Sequence, residues 1–409
     1  MKKKILHISY SDISGGAAIN CYRIHKALKK SNKFDSQLLV INKRSKDRDT
    51  VVLKGFLFNI IHILKIKFIF NLLKIISLMC SESFNISRSL NVFSSPSILK
   101  KIKDINPDLI HLHWINNEMI SLKDIASIKQ PLVWTLSDLW PFSGVDHYQY
   151  KYLKKNKFLT LINKYFLRKK KFYFRNINKI ICISNWQKNL CIASTVFDQS
   201  KIETIPCPIN VKEWNKIKVK KKGIHKKNHS KYNLLFINSM SSKDPRKGLH
   251  FLLQSLSNIK NKSNFKLVVI GDAEEESLKK IGIEYKIINK NFLGDIKKIS
   301  KFYLLADVLL MPSLEEAFGQ TALEASCIGL PVVGFQKTGL SDIIKHKKNG
   351  YLARYLNSKD FLEGVSWALL KNKKQNKKLY QNRLYNDFSS NVVIKKYEYT
   401  YEQILKNED

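Results

Sequence analysis

Acidic residues are scarce in this chain. Asp and Glu number 33 against 72 Lys and Arg in 409 residues, a formal net charge of +39. Such an excess favours polyanions: nucleic acid, anionic lipid or phosphorylated substrates. Nucleic acid is set aside, because no zinc finger, RNP-like aromatic pattern or recognisable helix-turn-helix accompanies the charge. Lys, Ile and Asn are abundant throughout, so charge alone names no ligand. Cysteine is thin as well: Cys21, Cys80, Cys182, Cys191, Cys207 and Cys327 are scattered, with no CxxC pair and no metal-ligand spacing. Several lie inside apolar runs and read as buried thiols in a reducing compartment. The Lys2–Lys4 cluster leads into a short strand-like run rather than an h-region, so no signal peptide is expected. An unbroken apolar run of about 20 residues is also missing. The longest apolar stretch, Leu53–Met79, is interrupted by Lys54, Lys65, Lys67 and Lys74 and by Asn59, His62 and Asn71. A transmembrane helix is therefore not expected; a helix lying in a membrane interface and one packed on its own domain both stay open.

What is present is a length suited to two domains of about 150–200 residues. "KKILHIS" reads as a buried strand and hands over at Gly15–Gly16 to a helix in which Ala17, Cys21, Ile24 and Leu28 fall at helical spacing. "SQLLVIN" follows as a second strand, and this βαβ start predicts a parallel sheet covered by helices. "PDLIHLHW", "PLVWTL", "NKIICIS" and "KIETIP" continue the first domain, residues 1–208. The run "KIKVKKKGIHKKNHSK" has eight lysines and no carboxylate, so residues 209–231 read as a linker. Strand–helix alternation restarts at "YNLLFIN", continues through "FKLVVIG", "DVLLMPS" and "PVVGF", and gives a second domain over 232–384; the last helix, about 385–409, is left free to return to the first.

"PSLEEAFGQTALEASCIGLPVV", Pro312–Val333, carries the chemistry. It reads as a strand end, a turn, a helix and the next strand, with Glu316 and Glu324 eight positions apart. Ligands of open α/β sheets bind beyond the carboxyl ends of the strands. Two carboxylates there accept hydrogen bonds from a polyhydroxylated ligand, and the helix N-terminus offers amides to phosphate. In "HLHW", His111 and His113 alternate along a strand and so share one face of the sheet. The one D-x-D, Asp47 and Asp49, lies in a polar basic loop and reads as solvated surface.

The Glu-x7-Glu pattern, with Phe318–Gly319 after the first acid and "GLPVV" after the second, resembles the family-4 retaining glycosyltransferases. The Gly15–Gly16 loop, "DLIHLHW", "VWTLSDLWPFSG", "ICISNWQKNL" and "PRKGLHFLL" follow in that family's order and extend the resemblance over nearly the whole chain. It is greatest to the colanic-acid branch, which builds exopolysaccharide or O-antigen. The resemblance implies a GT-B fold, two Rossmann-like domains facing each other across a cleft. It implies transfer of a hexose from a UDP- or GDP-type sugar to a glycan hydroxyl, with retention and without a metal or other cofactor. Glu324 matches the acid on the ribose hydroxyls, Glu316 the acid facing the donor sugar, and Lys247 the lysine neutralising the diphosphate. The Gly15 and Gly16 amides approach that diphosphate, and Phe318 and Gly319 complete the donor-binding set. His113 matches the histidine close to the anomeric carbon, with Asp138 an acceptor-side candidate and His147 a weaker one.

Two departures stand out. Where many members carry an arginine six residues before the lysine, this chain has Ser241; Arg246 or Lys243 would supply the charge, and Arg246 is preferred. Where the branch has "TLHDLWP", this chain has "TLSDLWP", with Ser137 in place of a protonatable imidazole. The acceptor is expected to be lipid-linked, at the cytoplasmic face of the membrane, with the protein held there peripherally on anionic lipid. The alternatives are a nucleotide-sugar 2-epimerase of the same fold and a non-enzymatic polyanion-binding protein. A dinucleotide oxidoreductase is disfavoured, since "SGGAAINC" is not GxGxxG.

Overall fold

A computed structural model of the chain describes residues 2–80, 86–150, 156–219, 231–238, 244–288, 296–371 and 377–407. It divides into two compact units, Met1–Pro208 with Val393–Asp409, and Ile209–Val392.

The first unit is built on a parallel sheet of β1 (Lys4–Ile8), β2 (Asp35–Val40), β3 (Thr50–Val52), β4 (Leu109–Leu112), β5 (Leu132–Leu136), β6 (Lys179–Cys182) and β7 (Ile202–Thr204). Its spatial order is β3-β2-β1-β4-β5-β6-β7, so the winding reverses between β1 and β4. The strands are nearly continuous apolar runs because helices cover both faces. Helix Gly16–Ser31 buries Ala18, Cys21, Ile24 and Leu28. Helix Ser390–Lys406 returns from the far end of the chain. It places Val393, Ile394, Tyr397, Tyr401 and Leu405 in one core with Ile5, Leu109, Val133 and Ile181.

The second unit repeats the plan with β8 (Tyr232–Asn238), β9 (Phe265–Gly271), β10 (Glu284–Ile288), β11 (Val308–Met311), β12 (Val332–Phe335) and β13 (Gly350–Ala353). The parallel order is β10-β9-β8-β11-β12-β13, reversing between β8 and β11. Three of the thirteen strands, β3, β10 and β13, have no counterpart in the sequence reading. Two are short, and β10 carries Glu284 and Lys286 in an exposed edge strand, which erases its apolar signal.

The expected linker differs from what is observed. Val211–Val219 is a helix of the second unit, with Val211 and Trp214 buried and the Trp214 ring 5.9 Å from that of Tyr303. Lys212 and Lys216 are exposed on it, so the charge count concealed an apolar face. Residues 220–230 lie outside the described residues.

Candidate active site

In each unit expected site residues follow the two strands at which the winding reverses, where open α/β sheets form their ligand crevice; Asp138 and His147 instead follow β5. On the second unit, Asp244–Lys247 come after β8 and Pro312–Gly319 after β11. Asp244 caps the turn Pro245–Lys247: its Oδ1 accepts the Arg246 amide at 2.9 Å and its Oδ2 the Arg246 guanidinium at 3.1 Å. The Arg246 carbonyl accepts the Leu314 amide at 2.8 Å, which ties this turn to the acid-bearing one. Gly248 allows the approach: it has φ +71°, and a Cβ there would lie 1.9 Å from the Pro312 carbonyl oxygen. Only glycine meets both conditions.

Lys247 Nζ then donates to Glu316 Oε2 at 2.8 Å. Burial opposes ionisation of Glu316, but the Lys247 ammonium, the Arg246 guanidinium and the Phe318 amide outweigh it and hold the carboxyl below its ordinary range. Glu324, in helix Gln320–Ile328, accepts a hydrogen bond from Tyr303 Oη at 3.2 Å. Gly319 caps that helix at φ +99° without a side-chain cap, and a Cβ on it would come within 2.5 Å of Leu340 Cδ2. The Phe318 side chain is core, 6.0 Å from the Phe388 ring, while its backbone amide hydrogen-bonds the Glu316 carboxylate. Lys243 and Ser241 lie outside the described residues.

On the first unit, Gly15 follows the loop after β1. It has φ +90°, and a Cβ there would meet nothing within 4 Å. Asp12 fixes this loop by accepting the amides of Ile13 (2.8 Å), Arg44 (3.0 Å) and Ser45 (2.8 Å). Beside it, β4 delivers His113. His111 and His113 do share a face, with ring centroids 4.1 Å apart, and join His7 and His25 in a buried imidazole cluster. His7 Nδ1 and His113 Nε2 are hydrogen-bonded at 3.0 Å. His111 is bonded to Tyr401 Oη at 2.6 Å and to Thr135 Oγ1 at 2.8 Å. Burial, reinforced by the other imidazoles, drives the pKa of His7 and His111 far down and that of His113 to about 3. Burial likewise takes His25 to about 4. His113 is thus a neutral hydrogen-bonding group. Its Nδ1 is buried with no partner among the described residues.

Asp138 is a hub. Its Oδ2 accepts from Trp114 Nε1 (3.0 Å) and His147 Nδ1 (2.6 Å), and its Oδ1 accepts the Trp140 amide (3.0 Å). His147 Nε2 is bonded in turn to Ser89 Oγ at 2.9 Å. Burial works against the Asp138 anion, yet these donors hold its carboxyl below the ordinary range. The Ser137 hydroxyl is buried without a partner among the described residues. Asp47 is not solvated as the sequence suggested: its Oδ2 accepts from Lys26 Nζ at 3.1 Å and lies 3.9 Å from His25 Nε2, because its loop folds back over helix Gly16–Ser31.

The sequence reading missed Asp12, Asp244, Tyr303, Gly248 and His7. Of these, only Asp244, directly before a proline and a 3-10 turn, carries a local signal, that of a helix cap.

Comparison with known proteins agrees with this layout. Residues 15–213 match the family described as Glycosyltransferase Family 4, and residues 219–384 the one described as Glycosyl transferases group 1. The two matches follow one another along the chain and together support a family-4-type glycosyltransferase. It is 27% identical over 240 residues to the capsular polysaccharide biosynthesis glycosyltransferase CapM of Staphylococcus aureus, covering 56% of this chain and 63% of that one. It is 35% identical over 130 residues to an uncharacterised glycosyltransferase of Methanocaldococcus jannaschii, covering 30% of this chain and 33% of the other. These matches span between a third and under two thirds of the relatives' lengths. Anabaena HepE, solved with UDP and glucose, aligns over 98% of this chain and all of its own, with a TM-score of 0.65 and 15% identity. The fold is GT-B.

Proposed function

We propose that this glycosyltransferase moves a hexose from a UDP- or GDP-type sugar to a hydroxyl of a lipid-linked glycan, in surface-polysaccharide synthesis of the colanic-acid type. The observation that carries the reading is the Lys247–Glu316 pair at the reversal of the second sheet, next to the start of helix Gln320–Ile328. A cation beside a carboxylate suits a ligand that is anionic at one end and hydroxylated at the other. Lys247, with Arg246 beside it and the Gly15–Gly16 amides, is assigned to the diphosphate. Glu316 is assigned to the sugar hydroxyls, Glu324 to the ribose, and Phe318 and Gly319 to the backbone around them. His113, neutral, is assigned to hydrogen bonding near the anomeric carbon. Asp138 acts through Trp114 and His147.

In the reaction, the bond between the anomeric carbon and the phosphate oxygen breaks, and the nucleoside diphosphate leaves with the electron pair. The acceptor oxygen bonds to the same face of that carbon and passes its proton to a leaving phosphate oxygen, so configuration is retained. Lys247 and Arg246 stabilise the growing charge in the place a metal would otherwise take. The CapM likeness supports the polysaccharide assignment; the cytoplasmic face of the membrane as the place of transfer is part of the proposal. Thermal-shift screening across UDP, GDP and their sugars tests the donor, followed by transfer assays with labelled donor. Stabilisation by one donor class supports the reading; no response to any nucleotide-sugar refutes it, and epimerisation without an acceptor points to the 2-epimerase.

A further inference from the structure

Two helices of the first unit each carry more apolar surface than the unit can cover. Helix Phe56–Met79 turns Ile69, Leu72, Leu73 and Ile76 inward, onto a cluster with Leu90, Val145 and Leu159. Its other sides stay bare: Phe56 is 85% exposed, Leu57 68%, Phe70 66% and Leu78 69%. Helix Lys157–Tyr173 joins the same cluster through Leu159, Ile162 and Phe166. It also has a second apolar stripe, Phe158, Leu161, Tyr165 and Phe172, all exposed. Their spacing of three, four and seven keeps them on one side of a helix, so the stripe is patterned. Cations border it: Lys164, Arg168 and Lys171, with Lys169 Nζ over the Tyr165 ring at 4.8 Å. Neither helix contains a single Asp or Glu.

We infer that these two helices together form a docking face for an anionic phospholipid bilayer, lying in the plane of the interface. An exposed apolar patch of this extent marks an interaction surface. Aromatic and aliphatic side chains flanked by unopposed lysines match acyl chains beneath anionic headgroups. Helix Phe56–Met79 is long and apolar enough to cross a membrane. Crossing would pull Ile69, Leu72 and Ile76 away from Leu90, Val145 and Leu159, and would immerse Lys65 and Lys67 at its middle. Lying flat keeps the inner contacts, with the Lys65 Nζ bond to the Ser94 carbonyl at 2.6 Å among them, and lets Lys67 reach the headgroups. The face itself is argued from these residues; it rests on the proposed function only in placing a lipid-linked acceptor at that surface.

The test is flotation of the full chain with phosphatidylglycerol/phosphatidylcholine vesicles and with phosphatidylcholine alone, at low and high salt. Binding that needs phosphatidylglycerol, weakens at high salt and is extracted by alkaline carbonate supports the inference. L161S/F172S and K164E/K171E should each lower vesicle binding at least tenfold, while circular dichroism and donor binding in vesicle-free buffer stay at wild-type levels. Resistance to carbonate would make Phe56–Met79 a spanning helix and overturn it. So would failure of the wild type to float, equal binding to neutral vesicles, or wild-type binding by both variants. Vesicle binding without any response to nucleotide-sugars would remove the transferase reading and leave the docking face standing.

Discussion

Lys247 and Glu316 hold each other, Nζ to Oε2, at 2.8 Å. The proposed reaction assigns the lysine to the diphosphate and the glutamate to the sugar, so the donor takes over an interaction that the protein already makes with itself. The pair keeps both charges satisfied in a site where each is mostly buried.

Lys247→Ala should therefore lower kcat/KM for transfer by roughly 10²–10³-fold, through the lost charge stabilisation. It should also cost about 1.5–3 kcal/mol of stability, since it strands Glu316. Steady-state kinetics and urea unfolding read the two effects separately. Because the folded Glu316 carboxyl lies below its unfolded value, the pair's contribution is whole above the unfolded value and fades as pH falls through the folded one. Glu316→Gln should flatten that acid limb; an unchanged limb would contradict the pairing.

Gly15→Ala separates folding from ligand approach. Its Cβ would meet nothing within 4 Å, so the cost is that of holding an alanine at φ +90° and ψ 166°, about 1–3 kcal/mol. Donor binding should fall as well, at least tenfold by titration calorimetry, because the methyl group occupies the space assigned to phosphate. Unchanged affinity would remove Gly15 from the donor site.

Asp138→Asn should destabilise the chain by about 2–4 kcal/mol, because the carboxylate serves three donors in a buried setting. Thermal unfolding gives the measurement. A variant with wild-type stability and lost activity would instead make Asp138 a group that touches substrate.

The imidazole cluster predicts acid sensitivity. Unfolded histidines take up protons below about pH 6.5, whereas His25 waits until about 4 and His113 until about 3. The unfolded state then binds more protons across this window, so stability falls as pH falls, by up to about 1.4 kcal/mol per pH unit for each histidine. Urea unfolding at pH 7, 6 and 5 measures the slope. His25→Gln should make it shallower.

The βαβ alternation, ten of the thirteen strands and the positions of Glu316, Glu324, Lys247 and His113 could be read from the chain, because buried parallel strands are apolar runs and their ends are punctuated. Short or charged edge strands could not. Nor could the His7–His113 bond or the Asp138 hub, whose partners are separated by up to 106 residues and by nothing local. Trp214 shows the reverse case: one buried aromatic outweighs the lysines around it, and what reads as a tether is a folded helix.

Tyr397 and Tyr401, bonded to Thr135 and His111, have a consequence for biosynthesis. Strands β1 and β4 wait for helix Ser390–Lys406, since Ile5 and Leu109 share their core with Val393 and Leu405. That part of the first unit must persist with an open seam while roughly two hundred further residues are translated, and deleting Ser390–Lys406 would injure a fold begun long before it.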